Sequence, residues 1–303
     1  MQRPGDFGMS RRNLMACAAV CAAAMAAPTI AKASPIQSTD ARTKDKRMAR
    51  IFITGSSDGL GLLAGKMLVE QGHGVVLHAR NTQRAEATRS ALPTCQAVVI
   101  GDVSSIAGIR TVADQVNALG RFDAIIHNVG IGDREHRRVE TVEGLSQLFA
   151  VNVVAPYLLT ALITRPDRLV YLSSSMHNGG DPSLEDLQWE KRQWNGSQAY
   201  SDSKLHDMIL AMGVARRWTD VLTNAVEPGW VPTRMGGASA PDDLSKGAFT
   251  QAWLAASDDA AARVTGKNFY HQTPTRMNPV AGRQDLQDRL IDYLRSITGA
   301  GIA

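Results

Sequence analysis

The sequence predicts an α/β fold: a doubly wound parallel sheet covered by helices on both faces, in a single domain over residues 50–303. Three observations carry this. Short apolar runs alternate with stretches of helical period along the whole body, the pattern of repeated strand–helix units. Glycine is plentiful (26) and aromatics make up only 5%, which fits tight strand-to-helix turns better than a β-sandwich. A glycine cluster lies between the first apolar run and the first helical stretch, at a place where open α/β sheets form a ligand crevice.

The elements follow in order. Arg50–Thr54 is an apolar run ending at Gly55, a strand feeding a turn. Leu60, Leu63, Ala64, Met67 and Leu68 recur at helical spacing, and Gly72 and Gly74 close that helix. Val75–Ala79 is the second strand, followed by a polar helix from Asn81 to Ala91. Ala97–Ile100, Asp123–His127 and Arg168–Leu172 are the third to fifth strands. A helix over Ile106–Leu119 joins the third to the fourth, and one long helix from Val142 to Thr164, with Pro156 inside it, joins the fourth to the fifth. The helix Gln198–Trp218 shows Leu205, Met208, Ile209 and Met212 on one face, and Val221–Val226 is the sixth strand. A helix around Phe249–Ala256, a short strand Asn268–Tyr270 and a last helix carrying Leu286, Leu290, Leu294 and Ile297 complete the domain. No run in the body is long and apolar enough for stable membrane insertion.

Charge is unevenly placed. Of 33 Lys/Arg and 29 Asp/Glu, residues 1–47 hold 8 and 3, so the formal charge of +4 belongs to the leader and the body is nearly neutral. A nucleic-acid partner therefore gains no support from the basic balance. Cys95 is the one cysteine of the body; it lacks metal-ligand spacing, and no metal is expected.

The leader has its own grammar. Arg11-Arg12 precedes an Ala-rich apolar run from Leu14 to Ala27, and Ala31-Lys32-Ala33 is a small-x-small site. This resembles a twin-arginine export signal over residues 1–33, cut after Ala33, with 34–49 as a polar linker and a periplasmic destination. Two alternatives stand beside it: an uncleaved tether, or translation from Met48, which leaves the protein cytoplasmic.

The chemistry-bearing motifs sit at strand ends. Thr54-Gly55-Ser56-Ser57-Asp58-Gly59-Leu60-Gly61 spaces its glycines as G-x-x-x-G-x-G between a strand and a helix. Glycine lets the backbone turn sharply and approach a pyrophosphate, and the helix N-terminus offers it free N–H groups. Arg80 ends the second strand where an NAD enzyme places a carboxylate for the ribose, so it is suited to a 2′-phosphate; otherwise it is a solvated strand-end arginine. Asp58, in the glycine loop, pulls the other way. Asp102 follows the third strand, in reach of an adenine amino group, and Asn128-Val129-Gly130 follows the fourth. Tyr200 and Lys204 are four apart, on one helical face. An ammonium one turn away stabilises phenolate and brings a phenol toward acid–base work at neutral pH. A hydroxyl of Ser173-Ser174-Ser175 is placed to donate to a developing alkoxide.

Together these motifs make residues 49–300 resemble the single-domain short-chain dehydrogenase/reductase family. The resemblance implies a Rossmann fold, with cofactor contacts from Thr54, Gly55, Ser57, Gly59, Leu60, Gly61, Arg80, Asp102, Asn128 and Gly130. It also implies Ser174, Tyr200 and Lys204 as catalytic residues and Asn152 as the holder of a proton-relay water. Pro228-Gly229, with Val231 and Thr233, matches the segment that meets the nicotinamide amide. His127 and Val129 depart from the family's Asn-Asn-Ala-Gly pattern. The implied activity is NADP(H)-dependent interconversion of an alcohol and a carbonyl on a fairly apolar small molecule, in a homodimer or homotetramer as is common in the family. A non-catalytic NADP(H) sensor on the same fold is the alternative, and an epimerase or dehydratase of the longer family type is disfavoured by the glycine spacing. The stretch His177–Gln198 resembles the retinol-dehydrogenase-like branch; its Trp189 and Trp194 either line a substrate pocket or anchor the loop.

Overall fold

The computed structural model describes residues 48–133 and 135–302. The expected export signal, and all but the last two residues of the expected linker, lie outside them. Ala49 already belongs to the fold: its N–H donates to His73 Nδ1 and its side chain packs on the core.

Eight strands form one sheet in the order β3-β2-β1-β4-β5-β6-β7-β8. They are β1 Arg50–Ile53, β2 Gly74–Ala79, β3 Ala97–Ile100, β4 Ala124–His127, β5 Arg168–Leu172, β6 Leu222–Glu227, β7 Asn268–Tyr270 and β8 Thr273–Thr275. All pairs are parallel except β7 with β8, a terminal hairpin that the sequence reading missed. The strands β1, β2 and β4 are buried along nearly their whole length, as a sheet covered on both faces requires. The helices are α1 Gly59–Glu70, α2 Thr82–Ala91, α3 Ile106–Ala118, α4 Gln147–Phe149, α5 Ala155–Leu162, α6 Gly196–Arg217, α7 Leu244–Ala256 and α8 Gln284–Thr298. One core lies under α3, α5, α6 and α8, around Phe122, Tyr157, Leu205 and Leu290. The other lies under α1 and α7, around Leu68, Leu77, Trp253 and Phe269. Strand order reverses between β1 and β4, so a crevice opens beyond their C-terminal ends.

The long helix expected from Val142 to Thr164 is shorter and interrupted. Val142 is 90% exposed, and Glu140 pairs with Ser146 as an isolated bridge around Gly144, which takes φ +78°. Helix begins only at Gln147, and Ala150–Val154 is a π-helical turn in which Ala155 N–H reaches Ala150 O. Pro156 has no N–H to give the Asn152 carbonyl, so the ordinary i→i+4 ladder cannot run through this turn.

Candidate active site

A cleft of about 470 Å³ lies over the crevice. Of the sequence-predicted residues, Gly55, Ser57, Gly59, Leu60, Arg80, Asp102, Asn128, Gly130, Tyr200, Lys204, Pro228 and Thr233 line it. Thr54, Gly61, Asn152, Ser174, Gly229 and Val231 do not line it.

The glycine loop is fixed from behind. Gly55 takes φ +59° and Gly59 φ +54°, backbone states a Cβ resists. A Cβ on Gly61 would lie 2.5 Å from Asn128 Nδ2 and 2.9 Å from Gly55 O, so that glycine is required by packing. Asn128 Nδ2 donates to Thr54 O and Gly55 O at 3.0 and 2.9 Å. Thr54 Oγ1 in turn accepts the N–H groups of Asn128 and Val129, each at 3.0 Å. Buried His78, which the sequence reading missed, holds the loop from the β2 side. Gly55 N–H donates to its Nδ1 at 3.0 Å, so the ring proton sits on Nε2, facing Gly101 O at 2.9 Å. Burial lowers the pKa of this imidazole, which favours the neutral ring these contacts need.

The β2 end of the cleft is cationic. Arg80 and Arg84 both line it. Arg84 comes from the first turn of α2, which is capped by Asn81 Oδ1 accepting from Arg84 N–H. Its guanidinium donates to Ser57 Oγ and Asp58 Oδ2, both at 3.1 Å, and Arg234 approaches Asp58 at 3.6 Å. The glycine-loop carboxylate, which pulls against a phosphate by itself, is thus matched by two arginines that sequence spacing did not single out. Asp102 Oδ1 accepts from Ser104 N–H, which orders the chain after β3.

At the other end α6 is capped by Asn195, whose side chain accepts from Gln198 N–H. Tyr200 and Lys204 follow on the same face, with Lys204 Nζ 5.9 Å from the Tyr200 ring centroid and both side chains on the cleft. Lys204 is 5% exposed, and its Nζ donates to Leu172 O at 2.5 Å. Gly130 lies against it: a Cβ there would stand 3.7 Å from Lys204 Nζ and 3.5 Å from Asn152 Oδ1. Asn152 is locked, accepting from Ile131 N–H and donating to Ile131 O and Ser203 Oγ. Ser173 lines the cleft, but it is buried and its Oγ donates to Lys204 O at 3.2 Å; Ser174, half-buried beside it, caps the 3₁₀ turn Ser175–Gly179, its Oγ accepting from Met176 N–H. Trp189 and Trp194 pack edge-to-face in a small cluster with Leu148 and Ala199, against which Ile131 and Tyr200 also pack. Neither tryptophan lines the cleft, so the loop-anchoring alternative describes them. Thr233 and Met235 close the cleft from the segment after β6, Thr233 beside Gly59 and Met235 over Gly132.

Comparison with known proteins agrees with the fold. The short chain dehydrogenase profile matches residues 49–174. An uncharacterized oxidoreductase, AN7799, from Emericella nidulans is 42% identical over 84% of this chain and 99% of its own length. The short-chain dehydrogenase chry4 from Gibberella zeae is 38% identical over 83% of this chain and 98% of its own. The chain belongs to the short-chain dehydrogenase/reductase family. Retinol dehydrogenase 14 from Mus musculus, 27% identical over 82% of this chain and 85% of its own, shows that the likeness extends to the retinol-dehydrogenase branch. An uncharacterized protein from Mycobacterium paratuberculosis has a crystal structure matching with a TM-score of 0.73 at 25% identity, over 84% of this chain and 95% of that one. This short-chain dehydrogenase/reductase is therefore an oxidoreductase of Rossmann type, from a family that uses a nicotinamide cofactor on small carbonyl or alcohol compounds. Among the described residues no helix is long and apolar enough to cross a membrane.

Proposed function

We propose that the protein is an NADP(H)-dependent carbonyl reductase or alcohol dehydrogenase acting on a fairly apolar small molecule. One observation carries the reading: a single cleft has Arg80 and Arg84 at one end and the Tyr200–Lys204 pair at the other. The residues fit a dinucleotide. Gly55 and Gly59 leave room for a pyrophosphate over the start of α1, and two guanidinium groups suit a 2′-phosphate. The nicotinamide, when bound, supplies or accepts the hydride. The chain's own groups do the rest. Tyr200 gives a proton to the carbonyl oxygen in reduction and takes it back in oxidation. Lys204, on the same helical face one turn on, holds the ribose, while Ser174 orients the substrate oxygen. Asn152, fixed by three hydrogen bonds in the π-helical turn, orders the relay toward Lys204. Ile131, Val151 and Met235 give the substrate end an apolar wall with Gln147 as its neutral polar group.

The test is NADPH oxidation with a panel of aldehydes, ketones and quinones. Tyr200→Phe is expected to abolish turnover while NADPH still binds with the wild-type dissociation constant. Turnover retained in that variant refutes the assignment.

We also propose that the Arg11-Arg12 leader directs folded enzyme to the periplasm and is cut after Ala33. N-terminal sequencing of the mature protein from separated cell fractions tests this; a cytosolic chain beginning at Met48 overturns it.

A further inference from the structure

Behind Ser174 lies a buried histidine that the reaction as described does not use. His177 is fully buried in the 3₁₀ turn that Ser174 opens. Asn278 N–H, from the chain just before α8, donates to His177 Nε2 at 3.1 Å. A backbone N–H only donates, so Nε2 is unprotonated and the proton of the neutral ring sits on Nδ1. That Nδ1–H faces Ser174 O at 2.6 Å, and Glu227 Oε1 stands 3.4 Å from the same nitrogen. Glu227 is the last residue of β6 and leads directly into Pro228-Gly229; its Oε1 also accepts from Asn268 Nδ2 at 2.7 Å. One imidazole thus ties together the serine turn, the strand end before the nicotinamide segment, and the approach to the last helix.

Satisfying the Ser174 carbonyl does not by itself require the ring. The His177 backbone N–H already donates to the same oxygen at 3.0 Å. What the ring adds is a link between Ser174 and β6. The Ser174 side chain then has a defined orientation. Its Oγ accepts Met176 N–H at 3.3 Å, which commits a lone pair and leaves the O–H proton to be given elsewhere.

We infer that His177 and Glu227 are a positioning pair that fixes Ser174 relative to the Pro228-Gly229 segment, so that the serine O–H points at the substrate oxygen. The inference rests on Ser174 being the hydroxyl that orients that oxygen. His177 acts through Ser174 and touches no reacting atom, so its effect belongs in kcat and vanishes when Ser174 is gone.

A double-mutant cycle tests it. Ser174→Ala, His177→Leu and the double variant are assayed for kcat and KM with the best carbonyl substrate, for the NADPH dissociation constant by fluorescence titration, and for thermal midpoint. The expected result for His177→Leu is a kcat lower by about 10- to 100-fold, the loss that follows when a reacting group shifts by about an ångström. NADPH affinity stays within about twofold of wild type in the same variant, and no further kcat loss follows on the Ser174→Ala background. His177→Asn, which keeps a short donor near the place of Nδ1, recovers most of kcat. An equal loss on both backgrounds means that His177 merely supports the fold, and a kcat within about twofold of wild type means that it positions nothing; either overturns the inference. Should His177→Leu not fold, Glu227→Ala, which removes the oxygen facing His177 Nδ1, takes its place in the same cycle. If Ser174→Ala alone leaves kcat unchanged, the serine assignment itself has failed, and the inference falls with it.

Discussion

Replacing Asp207 by Asn probes the buried electrostatics beneath the reacting pair. Asp207 lies three residues beyond Lys204 on α6, is 2% exposed, and its Oδ1 has no hydrogen-bond partner among the described residues. Burial pushes its carboxyl up from 3.8 to about 7, and the Lys204 ammonium only partly opposes the rise. The folded-state pKa therefore lies above the unfolded one. The stability carried by the protonated acid is fully present below pH 3.8 and is lost as the pH rises to about 7. Each pH step in that window costs about 1.4 kcal/mol, which gives about 2 kcal/mol at pH 5 and about 4 kcal/mol from pH 7 upward. That is a large share of the roughly 5–15 kcal/mol that holds a domain folded. Asparagine keeps the shape and cannot ionise. The advantage of Asp207→Asn over wild type in urea unfolding should therefore grow from pH 4 to pH 7 and then level off. Other titrating groups cancel in the difference between the two proteins. A difference that stays flat from pH 4 to pH 8 would falsify the argument, because it would mean that the carboxyl ionises in the folded chain as it does in water.

The acid limb should show the opposite sign. Burial lowers His127 to about 3, so its stability contribution is present above 6.5 and lost as the pH falls toward 3; His127→Gln should flatten the stability profile by about 1.4 kcal/mol per pH step between 6 and 4 in the same urea series. Removing a charged hydrogen bond to the 2′-phosphate by Arg84→Ala should raise the KM for NADPH by about 10- to 100-fold. The KM for NADH should stay almost unchanged in steady-state assays of that variant, and equal losses for both cofactors would assign Arg84 to the loop alone. Gly61→Ala drives a Cβ into Asn128 and the Gly55 carbonyl. It should cost about 1–3 kcal/mol of stability and abolish NADPH binding in calorimetry, with the far-ultraviolet dichroism unchanged.

The strands were legible because apolar runs bounded by turn residues are local signals. Ala97–Ile100 and Arg168–Leu172 form with the expected bounds, and the glycine motif falls between β1 and α1 as its spacing requires. The region before β5 was not legible to the same depth. Val142 and Leu145 mimic the start of a helical stripe, yet the local bridge between Glu140 and Ser146 takes that segment first. Nor does any periodicity signal a π-turn, whose cause lies in Pro156 and in the tie between Asn152 and Ile131. At the site, most residues with motif spacing line the cleft, whereas those brought there only by the fold had no signal in the sequence. Arg84 and Arg234 meet Asp58 from 26 and 176 positions away, and His177 meets Glu227 across 50. Pairings of that range depend on topology, to which single-sequence spacing is blind.

The placement of Thr54 and Asn128 changes what such motifs mean physically. Both read as cofactor contacts, yet their hydrogen bonds run between β1 and β4, across the point where strand order reverses. Two parallel strands diverging at their ends would leave the Thr54 and Gly55 carbonyls and the Asn128 and Val129 N–H groups without partners in a half-buried place, at about 1–3 kcal/mol for each unsatisfied group. Crossing the gap with one hydroxyl and one amide satisfies all four groups and holds the strand ends apart. The crevice is thus a fixed feature of the protein and does not depend on a bound molecule to keep it open. Gly61 completes the device, since only a residue without a side chain lets α1 approach the Asn128 amide so closely.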